Sequence, residues 1–124
     1  MGTATLSDSE IRVMDVVWDA GGRASAKQIA DALAGQLEYS ASATYTLIHR
    51  CIKKGALERV QPGFVCHALV SREQVQAEET DRLVDRVFNG SADKLFAALV
   101  GRKKVSREEI ARLRDLVNEM DVDE

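Results

Sequence analysis

The chain has 124 residues, a net charge of −3, 45% hydrophobic residues and only 5% aromatic ones. That length gives one ordinary domain, or a small domain with an appendage, built on an aliphatic core. One proline and 30% charged residues point to a mostly helical protein; no run approaches about 18 apolar residues, which excludes a membrane span, and no basic start followed by an apolar run marks a secretory signal.

The first recognisable element begins at Ser7-Asp-Ser-Glu10. A Ser followed three residues later by Glu or Gln is a capping box, in which the hydroxyl and the longer side chain each satisfy one orphan backbone N–H. The pattern recurs at Ser25-Ala-Lys-Gln28, Ser71-Arg-Glu-Gln74 and Ser106-Arg-Glu-Glu109, so it predicts four helix starts. The residues before it, Met1 to Thr5, carry no usable signal. The spacing predicts a first helix over Asp8–Asp19, buried through Ile11, Met14, Val17 and Trp18 and broken by Gly21-Gly22. A second runs over Ala26–Leu37 through Ile29, Ala30 and Leu33, with Gly35 expected to weaken or end it.

The third helix, predicted over residues 39–54, organises the rest. Leu47, Ile48, Cys51 and Ile52 form an apolar stripe. Gly55 is expected to cap its end, with Lys53 and Lys54 in the last turn where cations suit the helix dipole. Its outward face is then Ser42, Tyr45, Thr46, His49, Arg50 and Lys53. After Gly55 the period changes. Ala56–Val60 reads as a strand, Gln61-Pro-Gly63 as a type II turn, and Phe64–Val70 as a second, alternating strand. Three helices followed by a β-hairpin make a winged helix-turn-helix, and the hairpin over 56–70 is the wing.

Ser71 opens a second unit. Helices are predicted over Arg72–Phe88, Ala92–Val100 and Arg107–Met120, before an acidic tail, Asp121-Val-Asp-Glu124, expected to fray. The fold class is therefore mainly α with a small β-hairpin: a winged helix-turn-helix domain over 1–70 and a three-helix dimerisation domain over 71–124. Such short helices bury their stripes poorly alone, and two copies would cover them. The predicted homodimer face is Val84, Val87, Phe88, Leu95, Phe96, Leu99, Ile110, Leu113 and Val117.

Charge distribution supports a nucleic-acid partner despite the acidic total. Residues 41–68 hold Arg50, Lys53, Lys54 and Arg59 against Glu58 alone, whereas 71–124 hold thirteen acids against ten bases. The predicted base-facing residues are Ser42, Tyr45, Thr46 and His49. The predicted phosphate contacts are Ser40, Arg50, Lys53 and Lys54, with Arg59 on the wing. Nothing points to catalysis: there is no glycine-rich phosphate loop and no nucleophile elbow, so the protein is not read as an enzyme, and no cofactor or small-molecule ligand is indicated. His49 and Cys51 point about 200° apart on a helix, and Cys66 and His67 to opposite faces of a strand. No metal is assigned. Two cysteines in such a chain fit a reducing cytoplasm. The competing readings are a helical protein-interaction module, and a redox- or metal-responsive regulator using Cys51 and Cys66.

Four pieces carry a resemblance. Leu6-Ser-Asp-Ser-Glu-Ile-Arg-Val-Met-Asp-Val-Val-Trp18 resembles the opening of the BlaI/MecI penicillinase-repressor family. Thr46-Leu-Ile-His-Arg-Cys-Ile-Lys-Lys-Gly55 resembles its recognition helix. Phe88-Asn-Gly-Ser91 and Val105-Ser-Arg-Glu-Glu-Ile-Ala-Arg-Leu113 resemble its dimerisation region. The resemblance implies a cytoplasmic dimeric repressor that binds a palindromic promoter operator in double-stranded DNA and regulates antibiotic resistance. It implies relief by proteolysis after a membrane sensor-protease detects a β-lactam, with the cut between Ala98 and Leu99. The family's usual cut lies between Asn and Phe, so this sequence departs from the pattern there. It departs again at the start of the recognition helix, where Ser42 and Tyr45 replace the usual cations.

Overall fold

Among the described residues, six helices and three short strands follow in the order α1 (Asp8–Asp19), β1 (Arg23–Ser25), α2 (Ala26–Leu37), α3 (Ala41–Lys53), β2 (Leu57–Val60), β3 (Val65–Ala68), α4 (Arg72–Val87), α5 (Ala92–Gly101) and α6 (Arg107–Glu119). This computed structural model describes residues 5–120, and residues 1–4 and the acidic tail from Asp121 lie outside the described residues.

All four capping boxes form. At α1 the Ser7 hydroxyl accepts from the Glu10 backbone N–H at 3.2 Å, and the Glu10 carboxylate accepts from the Ser7 N–H at 2.8 Å. The same reciprocal pairs close at Ser25/Gln28, Ser71/Gln74 and Ser106/Glu109. Helix α3 has a simpler start: it begins at Ala41 rather than Tyr39, and Ser40 is its N-cap, accepting from Ala43 N–H at 3.1 Å.

The core of the winged part is the aliphatic one that composition predicts. Val13, Met14 and Val17 of α1 meet Ile29 and Leu33 of α2, Leu47, Ile48 and Cys51 of α3, and Ala24, Leu57 and Cys66 from the sheet. Ile11 and Trp18 are only partly buried, because α1 turns the row Glu10, Val13, Met14 and Val17 inward instead. Two polar residues share this interior, Glu10 and Thr44.

Two local expectations are corrected. Gly35 does not stop α2, which continues to Leu37 and is closed by Glu38 in the left-handed conformation at φ 59°. The wing is also more than a hairpin. β1 joins it, giving a three-stranded antiparallel sheet of order β1-β3-β2. Arg23 pairs with His67 and Ala24 with Cys66 on one side of β3, and Glu58 pairs with His67 and Arg59 with Cys66 on the other. Gly55 caps α3 as expected. It takes φ 86°, a conformation that costs glycine little, and the Ala56 N–H returns to the Cys51 carbonyl at 2.9 Å.

The chain divides into two compact units, one ending at Glu79 and one beginning at Thr80. The first includes the start of α4, where Val75 is buried, the Trp18 indole N–H donates to the Val70 carbonyl at 2.9 Å, and Arg72 pairs with Asp19 at 2.8 Å. The second holds the rest of α4 with α5 and α6. No residue from Thr80 to Met120 is buried, and this unit leaves several large apolar side chains exposed.

Candidate nucleic-acid interface

The helix-turn-helix is α2 and α3, and the local sequence dictates how α3 stands. Its inward row, Thr44, Leu47, Ile48 and Cys51, is buried. The opposite side is therefore forced outward: Ser42, Tyr45, Thr46, His49, Arg50 and Lys53 are all exposed. Arg50 and Lys53 lie in the last turn, and neither has a carboxylate partner among the described residues. The Thr46 hydroxyl donates to the Ser42 carbonyl at 3.1 Å, which leaves its oxygen lone pair and methyl for an outside partner. Ser40 is exposed, and its cap uses only the oxygen as acceptor.

Lys54 does not join this face. Its ammonium lies 2.6 Å from a Glu10 carboxylate oxygen and 2.8 Å from the Thr5 carbonyl. The pair ties the end of α3 to α1, so the cation predicted to meet a phosphate has a carboxylate partner within the chain. Burial alone would raise the Glu10 carboxyl; the Lys54 ammonium and the Ser7 N–H outweigh it and hold the group below its usual value of 4.5.

The wing folds onto the outward face through one residue that sequence reasoning missed. Phe64 stands edge-on to Tyr45, with ring centroids 5.9 Å apart, and tilted against His49 at 5.5 Å. The Arg59 guanidinium lies over its ring, 4.1 Å from the centroid. A phenylalanine opening a predicted strand reads as core; the cue to its other role is the cation five residues earlier, across the turn. Tyr45, His49, Phe64 and Arg59 thus form one aromatic and cationic cluster joining recognition helix to wing.

The cysteines face the other way. Cys51 and Cys66 are free and buried. Burial, reinforced by Glu10, pushes the Cys51 thiol up to about 12, and burial also raises Cys66. A thiol that stays protonated is a poor nucleophile and a poor metal ligand. Among the described residues no group of three His, Cys, Asp or Glu side chains is placed to hold a metal ion, and no helix is long and apolar enough to cross a membrane.

A winged helix presenting a polar, cationic helix face invites comparison with known DNA-binding proteins. The family model described as penicillinase repressor matches residues 6–119. The chain belongs to the penicillinase repressor family. It is thereby a DNA-binding transcriptional repressor of the class that regulates antibiotic resistance, and not an enzyme. Among relatives of this family member, the methicillin resistance regulatory protein MecI of Staphylococcus aureus strain N315 is 28% identical over 118 residues, covering 94% of this chain and 95% of MecI. The penicillinase repressor of Bacillus licheniformis is 25% identical over 116 residues, covering 92% and 90%. Among solved structures, the Bacillus licheniformis BlaI monomeric form in complex with the blaP half-operator matches with a TM-score of 0.50 and 25% identity, over 59% of this chain and 90% of that one.

The predicted residues of the second unit fall on α4, α5 and α6, except Phe88, which follows the end of α4. Val87, Phe96, Ile110 and Val117 are exposed; Val84, Phe88, Leu95, Leu99 and Leu113 are half-buried. Ala98 and Leu99 are both half-buried within α5, and the Ala98 carbonyl accepts from the Arg102 N–H at 3.0 Å.

Proposed function

We propose that this protein is a cytoplasmic homodimeric repressor that occupies a palindromic promoter operator and thereby excludes polymerase. Helix α3 enters the major groove. Ser42, Tyr45, Thr46 and His49 face base edges, Ser40, Arg50 and Lys53 meet phosphates, and Arg59 places the wing on the backbone. The observation that carries this reading is the clustering of Tyr45, His49, Phe64 and Arg59 on the exposed side of α3. The likeness to BlaI, solved with a half-operator, supports it.

The dimer rests on the second unit. Val87 is 58% exposed, Phe96 47%, Val100 59% and Val117 60%; a second copy of α4, α5 and α6 would cover these side chains and set two winged units on two half-sites. Relief follows from cutting Ala98–Leu99 by a membrane sensor-protease, which would separate Leu99, Ile110, Leu113 and Val117 from the rest of the dimer face. Because that peptide lies inside α5, the cut requires local unwinding of the helix.

Thr46→Ala tests the base contact. On a duplex recovered by selection from random DNA, it should cost about 1–3 kcal/mol while leaving binding to a scrambled duplex unchanged. Fluorescence anisotropy on both duplexes reads the difference, and equal affinity of parent and variant for the selected duplex would contradict the assignment.

A further inference from the structure

We infer that the groove between α1 and α3 is a second backbone clamp, taking one phosphodiester of the duplex on Ser9, Tyr39 and Arg50. The inference rests on the operator-binding reading and adds a site to it. The groove has a volume of about 390 Å³ and is lined by these three residues with Ala43, Thr46 and Leu47. Arg50 is its one charged lining residue and carries five N–H donors in a fork that fits a phosphate. The Ser9 and Tyr39 hydroxyls lie 3.3 Å apart. Either one donates to the other, so one O–H of the pair remains to donate to an incoming anion. No carboxylate lines the groove. Of the acids in the first turn of α1, Glu10 is held by Lys54, and Asp8 is exposed.

Position decides what the anion is. The groove residues of α3, Ala43, Thr46, Leu47 and Arg50, sit about 130° round the helix from Tyr45 and His49, which meet the wing. A helix lying in a major groove has a phosphate wall on each side. The Phe64–Arg59 cluster faces one flank of α3, and the Ser9–Tyr39–Arg50 groove opens on the other. Thr46 borders both the groove and the outward face, which places the phosphate site beside the base-reading surface. A sequence-blind clamp here would fix the rotation of α3 about its own axis, leaving the reading of sequence to its neighbours.

The test uses the full chain with two probes, a duplex recovered by selection from random DNA and a scrambled duplex of equal length. Arg50→Gln should weaken both by about tenfold and flatten the log–log salt slope by about one. Tyr39→Phe keeps the half-buried ring and removes only the hydroxyl; it should weaken both about fivefold with the slope unchanged. Scanning the selected duplex with single methylphosphonates should find one position whose neutralisation costs the parent protein and costs Arg50→Gln nothing. Arg50→Gln losing affinity only for the selected duplex, with its slope intact, would make Arg50 a base reader and overturn the site. Both variants binding like the parent would also overturn it. A parent chain without salt-dependent duplex binding is a separate result, which removes the operator reading itself and this clamp with it.

Discussion

At Glu10, burial and pairing pull in opposite directions. The side chain is 2% exposed, yet its carboxyl is held below 4.5 by the Lys54 ammonium and the Ser7 N–H. A carboxylate whose folded value is depressed contributes stability that is present above its unfolded value and lost as pH falls through the folded one. Glu10→Gln should therefore cost about 2 kcal/mol at neutral pH and remove part of the loss of stability as pH falls below 4.5. Urea denaturation of parent and variant across that range reads both effects, and parallel curves with equal midpoints would contradict the pairing. This interaction was not legible in the sequence. Glu10 was visible as a capping residue and Lys54 as a last-turn cation, and each role accounts for its residue locally. Only the packing of α1 against α3 brings together groups 44 positions apart. Thr44 was left out of the predicted apolar stripe because it is polar, whereas α3 turns it fully inward.

Among the elements, helices were more legible than strands. Capping boxes and a 3.6-residue period mark both the start and the buried side of a helix, and α1, α2 and α6 begin where those signals place them. β1 was invisible because Arg23-Ala-Ser25 is three residues long and its last residue is also the N-cap of α2. Gly35 misled because a propensity cost of about 1 kcal/mol is smaller than the packing of Ile29 and Leu33, which carries α2 past it. On the recognition surface, periodicity gave the exposed face of α3, but Phe64 closes it from a hairpin whose placement depends on tertiary packing. Phe64→Ala should uncouple wing from helix. The expected result is about a tenfold loss in duplex affinity, with the melting temperature falling by only a few degrees. Anisotropy and thermal denaturation on the same variant separate the two, and full affinity in a folded Phe64→Ala protein would show that the cluster does not position the wing.

The whole molecule separates its charge and its stickiness. Basic residues gather on 41–68, acids prevail after Ser71, and most of the exposed large apolar side chains lie on the second unit. Acids are thus sparse on the segment that carries α3, and the surface proposed for dimerisation lies on the second unit. Phe96→Glu should shift sedimentation equilibrium toward monomer and weaken a two-half-site duplex by at least about tenfold while sparing a single half-site. An unchanged dimer would move the interface elsewhere. The central claim, a dimer that reads a symmetric operator through α3 and the wing, is tested most directly by selecting bound sequences from random duplex DNA and titrating the winner with salt. The expected result is a two-fold-symmetric site with a negative log–log salt slope. Weak, sequence-blind binding would contradict it.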